Sequence, residues 1–285
     1  MMKFLSYIIS GFFALAAFFS SAQNNSLLYK IESPNSKPSY LFGTMHVIPD
    51  SAYYFPTKAQ KILKHTDQLV LEIGDMDIMK AQKLLRLESG SCFDIFTPSQ
   101  KDSVIAWGAK TMGASPELFE ATFGPLKPFA LLQLNTKEML NGDVKYIEME
   151  LQKTIPDVPI AGFETIEEQL AIFDNMPKEV LAEMVMQMVK EDGSSADQEM
   201  KELIAAYQKQ DVDKLAELIN SEEASGAMDT DAILYDRNAR WIPKIQEFTK
   251  TKSCFIAVGA GHLGGEKGVI KLLKNAGYTV TPIEY

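Results

Sequence analysis

The sequence predicts an α/β fold: a central mixed β-sheet flanked by helices, with a helical insertion over roughly residues 77–157. Three observations carry this. Short apolar or alternating runs of strand length lie at both ends of the chain and once in the middle. Segments of helical period fill the intervals. Glycine and proline mark most of the boundaries.

In order along the chain, LLYKIE and SYLFG flank a Ser-Pro-Asn-Ser-Lys-Pro turn and read as a hairpin. A helix is expected over residues 57–65, with Ala59, Ile62 and Leu63 on one face. QLVLEIG holds a short apolar run, residues 69–73, that reads as a buried strand. Residues 77–152 are mostly helical in pattern, with breaks at Gly90, Gly108, Gly113, Pro116, Gly124 and Pro125. A strand returns at 158–163. Thr165 and Glu168 then form a capping box at the start of a helix, and Pro177 suits the start of the next. Val180, Leu181, Met184, Val185 and Met188 make the apolar face of that second helix. A polar break at 193–196 precedes helices over 197–209 and 212–220, and DTDAILYDRNARWIPKI reads as one more, up to Pro243. The chain closes with strand CFIAVG, a glycine turn, helix GVIKLLKNAG capped by Gly277, and strand YTVTPIE.

With a formal net charge of -10 over 285 residues, the surface repels phosphate backbones and anionic lipid, so no nucleic-acid partner is expected. Residues 1–22 have one early charge, Lys3, an apolar stretch from about Leu5 to Phe19, and then small residues. They read as a cleavable signal peptide with Ser20 and Ala22 placed for cleavage at Ala22–Gln23; an uncleaved anchor is the alternative. Residues 23–285 are expected as a single exported α/β domain, periplasmic or extracellular, without stable membrane insertion after cleavage. Cys92 and Cys254 either pair in that oxidising compartment or remain as buried thiols. Neither has a neighbour that would activate it as a nucleophile.

Chemistry is sought beyond the carboxyl ends of the strands. Two of the three histidines stand three residues after a glycine that ends an apolar run: Gly43 with His46, and Gly259 with His262. A glycine there permits a tight turn and close backbone approach, and Gly261 adds to the second turn. Glu72 lies inside the apolar run of its strand, where a carboxylate is costly unless it is paired, bound to a metal or turned to water. Glu164 directly follows the middle strand. His46, Glu72 and His262 form a reasonable ligand set for a catalytic divalent ion, with Glu164 as general base or further ligand. Arg237 and Asn238 are candidates for binding substrate or an oxyanion, unless Arg237 is a surface residue paired with Asp236. Each histidine taken singly also suits a structural role. His65, at the end of a lysine-rich helix, reads as a C-terminal cap. Met184, Met186 and Met188 read as core or groove lining.

Taken together, YLFGTMHV, LVLEIG, AGFETIEEQL, DRNARW and FIAVGAGHLGGEKGVIKLLKNAGYTV resemble the TraB/PrgY/gumN family, which contains the Tiki-type metalloproteases. The resemblance runs from about Leu27 to Glu284. It implies an erythromycin-esterase/ChaN-like fold and a metal and catalytic centre at His46, Glu72 and His262. The family's ET glutamate falls on Glu164 and its RN pair on Arg237 and Asn238. Phe163 stands where many relatives have leucine, an apolar exchange. For Tiki-type members the resemblance implies a protease using a divalent ion such as manganese or cobalt; zinc is the further candidate. A peptide or small-molecule substrate follows. Other branches imply a metal-independent esterase-like hydrolase, with His46 as base and Glu72 orienting it, or a haem- or peptide-binding, sequestering protein.

Overall fold

The computed structural model describes residues 25–74, 77–134, 143–190, 194–221 and 230–285. The signal-peptide reading at 1–22 lies outside the described residues, as does part of the 193–196 break. The expected α/β architecture is present: among the described residues, a six-stranded mixed sheet has twelve helices around it.

The hairpin forms as its alternation suggests. β1 (Leu28–Glu32) pairs antiparallel with β2 (Ser39–Thr44), in register Leu28↔Phe42 to Ile31↔Ser39. Helix α1 (Thr57–Leu63) buries Ala59 and Leu63, and at its end His65 Nδ1 lies 2.6 Å from the Lys61 carbonyl, as a C-terminal cap does. β4 (Gln68–Ile73), β6 (Ile160–Glu164) and β7 (Cys254–Gly259) are parallel to one another and to β2. Every residue of β7 is buried, because a central parallel strand is covered on both faces. β8 (Thr279–Pro282) adds antiparallel to β1, giving the order β6-β4-β7-β2-β1-β8. The core cluster includes Leu28, Ile31, Leu41, Phe42, Leu69, Val70, Phe163, Phe255, Ile256 and Trp241.

The inserted segment has a core of its own. After α2 (Ile78–Leu84), the helices α3 (Pro98–Met112), α4 (Pro116–Phe123) and α5 (Phe129–Leu132) carry most of it. Cys92, Phe93, Val104, Ile105, Phe119 and Leu131 pack together there, joined by Val185 from beyond the insertion. The Phe119 ring lies so close over Gly108 that a Cβ would meet it at 2.1 Å. Cys92 is in this cluster and Cys254 in the main one; both are free and buried. Burial pushes the two thiols up, to about 12 and about 11.

Three details differ from the sequence reading. First, the stretch read as mostly helical contains a strand, β5 (Val144–Tyr146), which pairs antiparallel with β3 (Val47–Pro49). Three residues are too few for an alternating pattern to register. α6 (Ile147–Thr154) follows at once, then α7 (Ile166–Asp174) with the expected capping box and α8 (Lys178–Lys190). Second, α9 (Ser194–Gln208) starts three residues earlier than the polar composition suggested, and α10 (Val212–Ile219) follows it. Third, Pro243 does not end its helix. A π-helical turn, Asp231–Tyr235, leads into α11 (Asp236–Thr251), which runs through Pro243. Proline removes one backbone hydrogen bond, but Arg237, Trp241, Ile245 and Thr249 continue one buried stripe across it. α12 (Val269–Asn275) ends as read, with Gly277 at φ 87°. Among the described residues no helix is long and apolar enough to cross a membrane.

Candidate functional site

Strand order explains why the candidate residues meet. The parallel strands β6, β4, β7 and β2 are neighbours, so their carboxyl ends line one edge of the sheet. Glu164 is the last residue of β6, and Glu72 the last but one of β4. His262 closes the 3-10 turn that follows β7, and His46 stands just past β2. β2 and β7 pair with Gly43 opposite Val258 and Thr44 opposite Gly259. Two similar glycine-to-histidine steps on adjacent, nearly in-step strands therefore deliver two imidazoles to one place.

Glu72 is the hub. Its Oε1 accepts the Gly259 N–H at 2.7 Å and lies 3.5 Å from His46 Nε2 and 3.6 Å from His262 Nε2. Its Oε2 accepts Arg237 Nη2 at 2.6 Å. The same guanidinium takes Glu164 through Nε and Nη2, at 2.8 to 3.1 Å, and donates Nη1 to the Ile233 carbonyl of the π-helical turn. Glu164 also accepts the Trp241 indole N–H at 3.1 Å. Arg237, Glu72 and Glu164 are all buried. Burial alone would raise the Glu72 carboxyl; the charges of His262, His46 and Arg237 and the Gly259 hydrogen bond outweigh it and hold it at about 2.

These contacts revise three roles. Glu164 has both oxygens engaged with Arg237 and one with Trp241, so it is a clamp on Arg237 rather than a free base. Arg237 is not a surface arginine paired with Asp236, and its fork already serves two carboxylates and a carbonyl, leaving it occupied as an oxyanion donor. Asn238 is buried and faces His262: its Nδ2 donates to the carbonyls of His262 and Lys267, which turns Oδ1 to His262 Nδ1 at 2.6 Å.

That orientation assigns the His262 tautomer, since an amide oxygen only accepts. Nδ1 carries the proton, and the Nε2 lone pair looks into the site, where Arg237 Nη1 stands 3.4 Å away. Burial is the main force that lowers the His262 pKa, to about 4, so the ring is neutral at neutral pH. His46 is the opposite case. Loss of water on the face turned into the cluster acts to lower its pKa, but Glu72 and Glu148 overcome this and raise it to about 9. Its side chain is 56% exposed, so it forms the open side of the cluster.

Gly259 is the floor. A Cβ there would come within 3.2 Å of His46 Nε2, 3.3 Å of Glu72 Oε1 and 3.5 Å of the His262 ring. Gly43 and Gly261 are different. Their added Cβ atoms would meet Leu263 at 2.7 Å and Ile219 at 2.4 Å, so both are packing glycines and neither lines a substrate turn. Beyond β4 and β6 lies a cleft of about 470 Å³, lined among others by Gly74, Lys80, Glu164, Thr165 and Lys244. Neither histidine lines it, so it borders the Glu164 side of the cluster and not the imidazoles.

The donor set suits a divalent cation in kind. Two imidazole nitrogens face one carboxylate oxygen, and each ring is anchored through its other nitrogen, as ligating histidines are. Glu72, Glu148 and Glu164 together exceed the charge of the one buried guanidinium, and the cluster keeps surplus negative charge even with His46 protonated. The shell is not preformed: among the described residues no group of three His, Cys, Asp or Glu side chains is already arranged around an ion. An ion at His262 would displace the Arg237 Nη1 contact, and half-exposed His46 is the donor with room to move.

No sequence pattern singles out Glu148, Thr44, Gln169 or Trp241. Glu148 Oε1 lies 2.8 Å from both His46 Nδ1 and Thr44 Oγ1. Gln169 approaches Glu72 Oε2 at 3.4 Å, and Trp241 stacks on Phe163 with its ring 4.5 Å from that of His262. The only hint was periodic: Trp241 is four residues after Arg237, hence on the same helix face.

Compared with known proteins, residues 27–282 match the sequence model of the TraB/PrgY/gumN family. No curated protein and no solved structure matches.

Proposed function

The chain belongs to the TraB/PrgY/gumN family, and from that premise we propose that it is an exported, metal-dependent hydrolase acting on peptides. The observation that carries this reading is the convergence of two Nε2 atoms, from adjacent parallel strands, on one oxygen of Glu72. His46, Glu72 and His262 would hold the ion, manganese, cobalt or zinc. The chemistry supplied there is Lewis acidity, toward water and toward a substrate carbonyl.

The chain's own residues have separable tasks. Arg237 holds Glu72 by one oxygen and so keeps the other turned to the imidazoles. Glu164 and Trp241 fix Arg237 from behind. Asn238 keeps the Nδ1–H form of His262. Gly259 leaves the floor bare and adds its N–H to Glu72. The exposed side of His46 is where substrate enters; half-exposed Tyr146 pairs with its neighbour Val47 across the β3–β5 ribbon. Export rests on residues 1–22.

The test is to purify the mature protein, measure metal stoichiometry, and assay a peptide library with manganese, cobalt or zinc and with chelator. Bound metal together with chelator-sensitive cleavage is the expected result. Absence of both across the three metals would overturn the reading. Full activity in chelator would replace it with a metal-free one, in which half-exposed His46 acts as base.

A further inference from the structure

We infer that Glu148 is the positioning residue of His46: it fixes the Nδ1–H form of the ring and leaves Nε2 free to act in the site. This rests on the reading above only in taking Nε2 of His46 as the working atom.

Three contacts carry it. Glu148 Oε1 lies 2.8 Å from His46 Nδ1, and a carboxylate only accepts, so the proton is on Nδ1. The same oxygen accepts the hydroxyl of buried Thr44 at 2.8 Å, which fixes the carboxylate from the strand that leads to His46. The backbone sets the approach: β3 pairs with β5, and the pairing extends to an Ile147 N–H bond to the His46 carbonyl at 3.1 Å. Residue 147 is thereby locked opposite residue 46, and Glu148 is the next side chain along. An acid in the first turn of α6 is favourable in any case. That general preference would leave the carboxylate in water, as it does not account for one oxygen shared between Thr44 and His46.

The two anchors are complementary in chemistry. Asn238 holds His262 with a neutral oxygen in a buried setting, and Glu148 holds His46 with a charged one at a partly exposed position, 23% for the Glu148 side chain. Both turn Nε2 inward. The strand that delivers Glu148 is the return of the inserted segment, so the insertion is part of the site.

The experiment uses the metal-free mature protein with ¹⁵N-labelled histidine, at about pH 10.5, where His46 is neutral. The three histidine signals are assigned by single replacements. In the parent protein the His46 ring is expected as the Nδ1–H form; in Glu148→Ala it is expected to revert to Nε2–H. Cobalt(II) titration is the second readout: roughly 10–100-fold weaker binding for Glu148→Ala, with Glu150→Gln, two positions beyond on the same helix, unchanged. A parent ring in the Nε2–H form overturns the inference, whether or not Glu148→Ala folds. So does a Glu148→Ala ring that stays Nδ1–H. If the parent binds no cobalt, the metal reading falls while the ring measurement still decides the role of Glu148.

Discussion

Arg237 Nη2 lies 2.6 Å from Glu72 Oε2, and both side chains are buried. The guanidinium continues to Glu164 at 2.8 Å, so one cation from α11 ties two neighbouring strands together at their carboxyl ends. Removing it would leave two carboxylates unpaired in a dry setting. Arg237→Met is expected to lose about 3–5 kcal/mol of stability, read as a lower denaturant midpoint. Arg237→Lys keeps the charge without the fork and should fall between.

Gly259→Ala separates function from stability. The backbone there has φ -51°, which any residue adopts, so strain is not expected. The new methyl group would stand among His46, Glu72 and His262. Metal binding and hydrolysis should be lost while the unfolding midpoint changes little. Gly162→Ala is the contrast: its Cβ would lie 2.2 Å from the Gly74 nitrogen, forcing β4 and β6 apart, and the midpoint should drop.

In the metal-free protein, stability should fall toward acid in two stages. His262 binds a proton less readily folded, about 4, than unfolded, about 6.5, so stability declines as pH drops through that interval. Glu72, held near 2 against an ordinary 4.5, adds a second decline below about 4.5. His46 acts in the alkaline range. Its raised pKa contributes stability that is complete below about 6.5 and is lost as pH rises through about 9. Denaturant midpoints across the pH range test this, and His262→Asn should remove the first acid stage and weaken the second, since His262 helps hold the Glu72 carboxyl down.

Trp241 is a built-in reporter. It lies beside His262 and under Arg237, whose guanidinium carbon is 4.9 Å from the ring centre. With Trp107→Phe it becomes the sole tryptophan. Its emission should then change on addition of cobalt or manganese and recover with chelator, and His262→Ala should abolish the response.

The exported form should begin at Gln23. Amino-terminal sequencing of protein recovered outside the cytoplasm checks this, and a chain retaining residues 1–22 would contradict it.

Much of the sheet was legible because buried strands leave a compositional trace. CFIAVG has no polar side chain, and β7 is buried throughout. Glu72 stood out for the same reason, as a charge in an apolar run. His46 and His262 stood out because each follows, by three residues, a glycine at the end of an apolar run. What escaped was set by partners distant in sequence. Glu164 looked like a base until Arg237 was seen to saturate it, and nothing in DRNARW says that the arginine turns inward. Glu148 is one of two acids in YIEMELQK, and only the β3–β5 pairing distinguishes it. Pro243 misled because local backbone chemistry argues for a stop, whereas the buried stripe through Trp241 and Ile245 favours continuation.

The in-step pairing of β2 with β7 has a consequence for how such a protein can vary. The spacing of the two imidazoles is fixed by inter-strand hydrogen bonds and by two four-residue stretches, Gly43 to His46 and Gly259 to His262. Segments encoded between those stretches that carry neither β4 nor the anchors Glu148 and Asn238 can change in length without retuning the pair, whereas one codon added inside either stretch would carry a histidine out of reach.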